Sequence, residues 1–502
     1  MDKRRTGEQC GGVTARLTET HTATLRFEDG LVRKRKKPLD LGFLDFSSVE
    51  ARRQACEAEV RLNARMAPDV YLGVEPVRDA DGAVVDHEVL MRWLPAERSL
   101  TSLVQAGADV RAPLQAVARQ LATLHARSAV GPELRLLGSA DWQRQLWDSG
   151  LDALRPFDML VPDEDREAAR SLAQAWLAGR EPLLASRLEA GRLVDGHGDL
   201  QADDVFVLDD GPRVLDCLEF DDRLRIVDGV ADACFLVMDL ERLGAPAAAA
   251  TFLDAYLAAA VDAVPPSFVH HHVAYRAHVR CKVACIRAAQ APTDDAVQRA
   301  RELSALSLEH LRLGTVRLVL VGGLPGSGKT TVATSLARRP GVEHLSSDHV
   351  RKHLAGLPPE VPAGTGPGEG LYDEAMTART YESLLDEART LLGHGRSVVL
   401  DATFADERWR ETARALGRST SSQVVELRCT LDPGLADERL LARRGGASDA
   451  TPAVRAWLAE RAAPWPEAVE IDTSGDLDAT LARAAAQLDI GRAQRPSALT
   501  NP

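Results

Sequence analysis

The sequence lacks the cysteine pattern of a disulfide-stabilised secreted protein. Its seven cysteines are odd in number and irregularly spaced along 502 residues, whereas a disulfide framework needs paired cysteines at recurring spacings. The N-terminus carries basic residues with no apolar stretch behind them, so it does not have the form of a secretory signal. These absences predict a cytoplasmic protein whose thiols are free.

Long apolar runs and excess positive charge are also missing. The longest Ala-rich run, 245–264, is interrupted by Asp254 and Asp262, and a membrane-spanning helix needs about 20 predominantly apolar residues. The formal net charge is −13 and aromatic residues make up 4% of the chain. This composition argues against broad attraction to nucleic acid or to anionic membranes, so we expect neither as a partner.

The length and the 45% hydrophobic content are sufficient for two or three domains with their own cores. After a polar segment, 1–20, the sequence predicts a hairpin around Asp29-Gly30, a helix that begins after Ser48, and a second hairpin. These elements form a small lobe that ends near residue 95. From Ser99 to about Arg312 the spacing of apolar residues is mostly helical.

After Gly314 the pattern changes to apolar strands that alternate with helices. The four predicted strands lie in the segments VRLVLVG, SVVLDATF, SQVVELRCTL and EAVEIDTS. Such alternation predicts a parallel sheet covered by helices on both faces, here over residues 314–489 with a flexible tail, 490–502. A Pro/Gly-rich segment, 357–370, interrupts this domain and predicts a lid or a disordered insert.

The first predicted strand of the C-terminal domain leads into a phosphate-binding loop. The glycines, lysine and threonine of the G-x-x-x-x-G-K-[ST] pattern follow an apolar strand and open a helix, which is the context the motif requires. Lys329 should reach the β- and γ-phosphates of a nucleoside triphosphate, and the Thr330 hydroxyl should ligate Mg²⁺. The predicted nucleotide-binding residues are Gly323, Leu324, Pro325, Gly326, Ser327, Gly328, Lys329, Thr330 and Thr331.

Later residues of the same domain suggest what becomes of the triphosphate. Asp348 could accept a hydroxyl proton while Arg351, one helical turn on, holds substrate; a helix cap with a solvated arginine is the alternative. Asp401 ends an apolar strand, where a carboxylate can hold Mg²⁺ through water. Arg439 and Arg443 could face the transferring phosphate, or form a solvated basic face.

With these motifs the segment from Val316 to about Leu488 resembles the small P-loop kinases that phosphorylate hydroxyls of small molecules or polynucleotide ends, a group that includes zeta-toxin-like kinases. The resemblance covers the glycine loop, the Ser-Asp-x-x-Arg, the Leu-Asp-Ala-Thr and the arginine-bearing lid. It implies phosphoryl transfer to an acceptor rather than simple hydrolysis.

A second acidic constellation lies in the segment VDGHGDLQADDVFVLDDGPRVLDCLEFDD, 194–222. A kinase needs a carboxylate that orients the acceptor hydroxyl and metal ions that neutralise the triphosphate. Asp199 would take the first role, and Asp204 and Asp216 would hold Mg²⁺, which prefers oxygen ligands. A metal-free acidic surface is the alternative.

This segment resembles the aminoglycoside phosphotransferase-like kinases, which share the protein-kinase architecture. The family pattern is His-Gly-Asp, then Asn, then a strand of the Ile-Asp type; Asp204 stands here at the Asn position. The resemblance implies a small-lobe lysine for the α- and β-phosphates, Lys34 or Lys36, positioned by the helix glutamate Glu59. No G-x-G-x-x-G precedes Lys34, and a basic strand edge without a nucleotide role is the alternative.

The predicted fold class is therefore multidomain α/β and α+β: a bilobal protein-kinase-like domain, 21–313, followed by a P-loop parallel β-sheet kinase domain, 314–489. The predicted function is ATP- and Mg²⁺-dependent phosphoryl transfer to a hydroxyl of a small polar metabolite such as a sugar or amino sugar. Two alternatives stay open. One is a degenerate kinase-like regulatory module controlled by nucleotide occupancy of the P-loop, and the other is a nucleic-acid end kinase.

Overall fold

The computed structural model describes residues 6–7, 16–19, 22–39, 45–358, 370–442 and 450–488. Most of the predicted insert 357–370, Arg443 and the predicted tail 490–502 lie outside these ranges. The chain groups into two compact units. Unit 1 comprises 1–143, 186–263 and 272–307, and unit 2 comprises 144–185, 264–271 and 308–502.

The small lobe of unit 1 is an antiparallel sheet with one helix. Its elements are β1 (Thr6–Gly7), β2 (Arg16–Glu19), β3 (Ala23–Glu28), β4 (Leu31–Lys36), α1 (Val49–Asn63), β5 (Tyr71–Arg78) and β6 (Val84–Arg92). The strand order is β1-β2-β3-β4-β6-β5. Asp29 and Gly30 have φ of 52° and 76°, the left-handed backbone that a tight hairpin turn needs. The Ser48 side chain accepts the Ala51 N–H and caps α1.

Short strands and helices make up the chain between the small lobe and residue 313. They are α2 (Leu100–Gln105), α3 (Arg111–Ala126), α4 (Ala140–Asp152), α5 (Asp163–Gly179), α6 (Glu181–Glu189), β7 (Leu193–Asp195), β8 (Val205–Leu208), β9 (Gly211–Val214), α7 (Asp222–Arg225), β10 (Ile226–Asp228), α8 (Gly229–Arg242), α9 (Pro246–Ala260), α10 (Pro266–Gln290) and α11 (Asp294–Leu313). β7 pairs with β10 and β8 with β9, both antiparallel. Among the described residues, no helix is long and apolar enough to cross a membrane.

Unit 2 is built on a parallel sheet of five strands. The remaining elements are β11 (Arg317–Gly322), α12 (Lys329–Leu336), β12 (Val342–Ser346), α13 (Ser347–Leu354), α14 (Glu374–Gly393), β13 (Ser397–Asp401), α15 (Glu407–Ser419), β14 (Gln423–Thr430), α16 (Pro433–Ala442), α17 (Pro452–Ala459), β15 (Val469–Asp472) and α18 (Leu477–Ala486). The sheet order is β12-β13-β11-β14-β15. Four of these strands match the sequence prediction, and β12 was not predicted. The predicted fold class, a kinase-like bilobal part followed by a P-loop sheet, is confirmed.

A buried arginine joins the α5–α6 corner to the sheet helices of unit 2. Arg180 is fully buried, and its guanidinium donates to the carbonyl oxygens of Leu392 and Thr420, the latter at 2.5 Å. It also donates to the Ser421 carbonyl and the Ser422 hydroxyl, each at 3.2 Å. Burial lowers the Arg180 pKa to about 10. Residues 177–180 are therefore part of the packing of unit 2.

Arg180→Ala should destabilise unit 2 more than any exposed arginine substitution. The change leaves buried carbonyl groups without donors, at about 1–3 kcal/mol each, so we expect a loss of about 3–5 kcal/mol in the free energy of unfolding. For a unit of this size that corresponds to a fall in Tm of roughly 10 °C. Thermal unfolding followed by tryptophan fluorescence measures it.

Arg155→Ala is the matched control. Arg155 lies in the same unit and is largely exposed, and its one ion pair among the described residues is with Asp152, at 3.0 Å. An exposed pair contributes about 0–1 kcal/mol, so the control Tm should stay close to that of the wild type. Equal shifts for the two variants would contradict the packing role of Arg180.

Candidate active sites

The phosphate-binding loop of unit 2 connects β11 to α12 and depends on its glycines. Gly323, Gly326 and Gly328 have φ of 143°, 84° and 84°, backbone conformations that side-chain-bearing residues rarely adopt. A Cβ on Gly323 would lie 2.6 Å from the Cys429 carbonyl oxygen. The loop therefore places its backbone N–H groups around the N-terminus of α12. N–H groups gathered in this way bind phosphate.

Asp401 lies beside this loop, at the carboxyl end of β13. In the parallel register it is opposite Val321 of β11 and Ser346 of β12. Burial opposes its ionisation, but hydrogen bonds from His344 and Thr330 and the charge of Lys329 lower its pKa. The sequence-predicted residues Lys329, Thr330 and Asp401 thus lie together in the folded unit.

The environment of the Asp401 carboxylate suits a residue that ligates Mg²⁺. The residue is 2% exposed, and its Oδ1 atom has no hydrogen-bond partner among the described residues. A buried carboxylate oxygen without a partner is costly unless a cation or donor satisfies it. Mg²⁺ held by Thr330, Asp401 and nucleotide phosphates would do so.

Asp348 and Arg351 contact each other on α13. The Arg351 Nη1 atom donates to Asp348 Oδ1 at 2.9 Å, and the guanidinium lies 5.0 Å from the centre of the Tyr372 ring. Their predicted catalytic and substrate-holding roles stay predictions. The ion pair fixes the carboxylate in a defined position, as an acceptor site needs.

Arg439 contacts a residue that the sequence analysis missed. Its Nη2 atom donates to the Thr473 carbonyl at 2.9 Å, and the Thr473 hydroxyl donates to the Ser327 carbonyl of the loop at 2.8 Å. Thr473 follows β15 directly, so it could have been found as a polar residue at the carboxyl end of a predicted strand. The pair Arg439–Thr473 supports the phosphate loop from the α16 side.

In unit 1 the predicted lysines share one buried carboxylate. The two lysine side chains leave the same face of β4 and meet Glu59 of α1, which is fully buried. Lys34 Nζ lies 2.8 Å from Glu59 Oε1, and Lys36 Nζ lies 2.8 Å from Oε2. Burial opposes the charge of Lys36, but Glu59 and Glu219 outweigh it and raise its pKa. Both predicted lysines therefore belong to one ion-pair network.

The network extends to Asp216. Lys34 Nζ lies 2.6 Å from Asp216 Oδ1, and this lysine charge is the main cause of the lowered Asp216 pKa. Asp216 has φ of 62°, a left-handed backbone conformation that is uncommon for a residue with a side chain. Its backbone N–H donates to the Tyr71 hydroxyl at 3.2 Å.

The His-Gly-Asp turn is held by a buried carboxylate from α8 that the sequence analysis did not select. Asp232 accepts the N–H groups of His197 and Gly198, each at 2.8 Å, and lies 3.0 Å from the His125 ring. Burial opposes its ionisation, but these bonds outweigh it and lower its pKa. Asp232 is a positioning residue that fixes the backbone before Asp199.

Asp199 lies next to an arginine of α10. Its Oδ2 atom is 3.0 Å from Arg280 Nη1. Burial raises the Asp199 pKa to about 6; the Arg280 charge lowers it and the Asp216 charge raises it. A carboxylate with a pKa near the working pH is suited to accept a proton.

Asp204, which stands where the family pattern has asparagine, adds a third carboxylate to the region of Asp199 and Asp216. Burial and the charges of Asp216 and Asp199 raise its pKa well above the ordinary value. In the described part of the chain, no three His, Cys, Asp or Glu residues lie close enough to hold a metal by themselves. Mg²⁺ commonly takes one or two carboxylates plus substrate phosphates, so this donor set fits an ion that arrives with a nucleotide.

Comparisons with known proteins give a family match to one domain and relatives that align with most of the chain. Residues 318–464 match the family model of the AAA domain. Two curated proteins, Uncharacterized protein Rv2004c of Mycobacterium tuberculosis and Uncharacterized protein Mb2027c of Mycobacterium bovis, are each 39% identical to the chain over 473 residues. Each alignment covers 93% of this chain and 94% of the relative. The predicted P-loop domain is confirmed by the family match.

Solved structures align with different parts of the chain. A choline kinase from Cryptosporidium parvum covers 61% of this chain and 88% of its own, with 13% identity and a TM-score of 0.39. A gluconokinase from Sinorhizobium meliloti covers 34% of this chain and 91% of its own, with 16% identity and a TM-score of 0.26.

Proposed function

The chain belongs to the family of the mycobacterial proteins Rv2004c and Mb2027c, and from that premise we propose a function for it. It is an ATP- and Mg²⁺-dependent phosphotransferase that acts on a hydroxyl of a small polar metabolite such as a sugar or amino sugar. Each unit holds one nucleotide site.

The observation that carries the proposal is the Lys34–Glu59–Asp216 network. A lysine ion-paired to a buried helix glutamate is one of the two pairings that protein kinases need for phosphoryl transfer, and the same lysine lies 2.6 Å from Asp216, the carboxylate proposed to hold Mg²⁺. The same chain carries a phosphate loop with a buried, unpartnered Asp401 oxygen. These groups favour binding of a triphosphate with its metal over a purely structural role.

The residues of unit 1 suggest how the transfer would proceed. Asp199 accepts the proton of the acceptor hydroxyl, whose oxygen then forms the new bond to the γ-phosphorus as ADP leaves. Lys34 and Lys36 bind the triphosphate oxygens, and Glu59 orients both lysines. Asp204 and Asp216 would hold Mg²⁺, which supplies charge neutralisation of the phosphates.

Unit 2 would use a different set of groups for the same chemistry. The phosphate loop and Lys329 bind the triphosphate, and Thr330 and Asp401 would hold its Mg²⁺. Asp348 is the candidate that accepts the proton of the hydroxyl, with Arg351 bonded to it at 2.9 Å. Arg439 supports the phosphate loop through its hydrogen bond to Thr473, whose hydroxyl bonds the Ser327 carbonyl.

A nucleotide-controlled regulatory module is the alternative that one observation favours. Asp204 stands where the family pattern has asparagine, and burial with the charges of Asp216 and Asp199 raises its pKa, so unit 1 could bind a nucleotide without transferring phosphate. Transfer of labelled γ-phosphate from ATP to an added acceptor separates the two functions. Label on the acceptor supports a kinase, whereas bound ATP without any transfer supports the module.

Transfer by unit 1 should depend on pH through Asp199. Because burial raises its pKa to about 6, the proton-accepting carboxylate predominates above that pH and is lost below it. We expect kcat/KM to fall about tenfold per pH unit below about pH 6. The measurement is kcat/KM from pH 5 to 8 in the Lys329→Ala protein, which reports unit 1 alone.

Magnesium provides the internal control for this pH profile. A cation held by Asp204 and Asp216 favours the charged form of the nearby Asp199 carboxylate, so the midpoint should move to lower pH as Mg²⁺ is raised. A rate that stays constant from pH 7 to pH 5 at low Mg²⁺ would contradict the role of Asp199.

A further inference from the structure

Unit 1 carries a basic cluster beside Asp199, defined here as Arg280 and Arg287 of α10 and Arg299 of α11. Arg280 and Arg287 are seven residues apart, two helical turns, and so share one face of α10. The Arg280 side chain is 16% exposed, Arg299 is half-buried and Arg287 is exposed. The cluster thus runs from the interior to the surface.

The inner end of this cluster touches the group that would accept the proton. Arg280 Nη1 lies 3.0 Å from Asp199 Oδ2 and 3.4 Å from Oδ1. An acceptor whose hydroxyl reaches Asp199 must therefore place its neighbouring atoms next to Arg280.

The charges of the cluster are incompletely balanced. Arg280 pairs with Asp199, and nearby Arg242 pairs with Asp239 at 2.7 Å. Among the described residues, neither Arg287 nor Arg299 forms an ion pair. Burial lowers the pKa of both guanidinium groups and neighbouring arginine charges lower it further, while Asp199 near Arg287 and Asp239 and Asp203 near Arg299 raise it in part. The arginines repel one another, which a bound anion would relieve.

Arg276, one turn before Arg280, shows what a structural arginine in this helix looks like. It is 4% exposed, its Nε atom donates to the Ala231 carbonyl at 3.0 Å, and its guanidinium lies 4.3 Å from the centre of the Phe235 ring. In the part of the chain that the structure describes, Arg287 and Arg299 have no comparable anchoring. Their guanidinium groups are available to a ligand.

We propose that the acceptor of unit 1 is a hydroxyl-bearing oxyanion, such as a sugar phosphate or sugar acid, whose anionic group binds Arg287 and Arg299 while its hydroxyl reaches Asp199. Guanidinium groups bind phosphate and carboxylate through paired N–H donors. The ammonium group of a protonated amino sugar at the same place would be repelled by Arg287 and Arg299. This inference rests on the proposed function and narrows its acceptor class.

Binding and turnover test the inference separately. Isothermal titration of glucose 6-phosphate, gluconate, glucose and glucosamine into full-length Lys329→Ala protein measures affinity without catalysis. Acceptor-dependent ADP release in the same protein gives KM and kcat. Glucose 6-phosphate and gluconate separate a phosphate-binding from a carboxylate-binding site.

The variants are Arg287→Glu with Arg299→Glu, and Arg119→Glu as the matched control. Arg119 is an exposed residue of α3 in the same unit, so it receives the same substitution, with the same charge change per residue, on a different helix. We expect at least one anion to bind more tightly than glucose. Charge reversal at Arg287 and Arg299 should weaken that binding at least about tenfold and raise KM more than it lowers kcat. Arg119→Glu should leave the anion affinity and the kinetic constants unchanged.

Two results would overturn the inference. One is that neither anion binds more tightly than glucose, and the other is that cluster reversal weakens binding no more than Arg119→Glu does. If glucose or glucosamine alone supports Asp199-dependent ADP release, the kinase function stands and the anionic acceptor is wrong. If anion binding depends on the cluster but no acceptor is turned over, the site stands and the kinase function fails.

Discussion

Lys329→Ala should lower phosphoryl transfer at the P-loop site by about 10²–10³-fold. Lys329 opens α12 directly after a loop whose three glycines hold left-handed backbone, so its ammonium group lies where the phosphates bind. Its charge also helps to lower the pKa of the buried Asp401 carboxylate. Removal of the ammonium takes away charge stabilisation that the rigid loop cannot replace.

The measurement uses the Asp199→Asn background, so that unit 1 contributes nothing. Acceptor-dependent ADP release and the affinity for Mg-ATP are compared with those of Thr334→Ala, a variant of an exposed residue of the same helix. The control should behave as its parent. Retention of full transfer in the Lys329→Ala protein would remove the P-loop site from the catalytic account.

Asp199→Asn should lower transfer by unit 1 by about 10²–10⁴-fold, the usual contribution of a positioned general base. Asparagine keeps the shape and can still contact Arg280, but it cannot accept the hydroxyl proton. Asp232 bonds the backbone of His197 and Gly198, so the turn should keep its conformation in the variant. The expected loss is therefore in kcat, with little change in nucleotide affinity.

The test compares Asp199→Asn with Asp254→Asn in the Lys329→Ala background. Asp254 is an exposed residue of α9 in the same unit and lies in none of the proposed sites, so the control should retain the parental rate. Equal rates for the two variants would show that unit 1 transfers phosphate without Asp199 or not at all.

Local sequence patterns account for the parts of the fold that could be predicted. The phosphate loop needs only six consecutive residues between a strand and a helix, and both hairpins carry Asp-Gly turns. Strand alternation puts Lys34 and Lys36 on one face of β4, and the resemblance to the kinase family implied their pairing with Glu59. These features depend on neighbours in sequence.

Other features depend on contacts between distant segments. β12, VEHLS, is an edge strand with one buried residue, so it lacks the apolar run that identified the central strands. The hydrogen-bond partners of Arg180 lie more than 200 residues away in the sequence, so no local sequence pattern indicates them. Asp232 did leave a signal, because a carboxylate within the buried, apolar helix α8 must be paired.

The side-chain environment of Arg280 bears on the charge of the proposed acceptor. Arg280 lies on helix α10, and its position in the sequence does not distinguish a salt-bridge partner from a ligand contact. The structure shows that it is both next to Asp199 and part of an incompletely balanced group of arginines. Charge balance of this kind depends on which helices meet, so residue spacing alone could not establish it.

The central claim is phosphoryl transfer to a hydroxyl acceptor, and ADP release from Mg-ATP with a panel of sugars, amino sugars, sugar phosphates and sugar acids tests it most directly. The proteins are the wild type, Asp199→Asn, Lys329→Ala and the double variant. The account predicts stimulation by at least one acceptor class, loss of that stimulation in one single variant, and an inactive double variant. ATP binding through Lys329 without stimulation by any acceptor would contradict the account and favour the regulatory module.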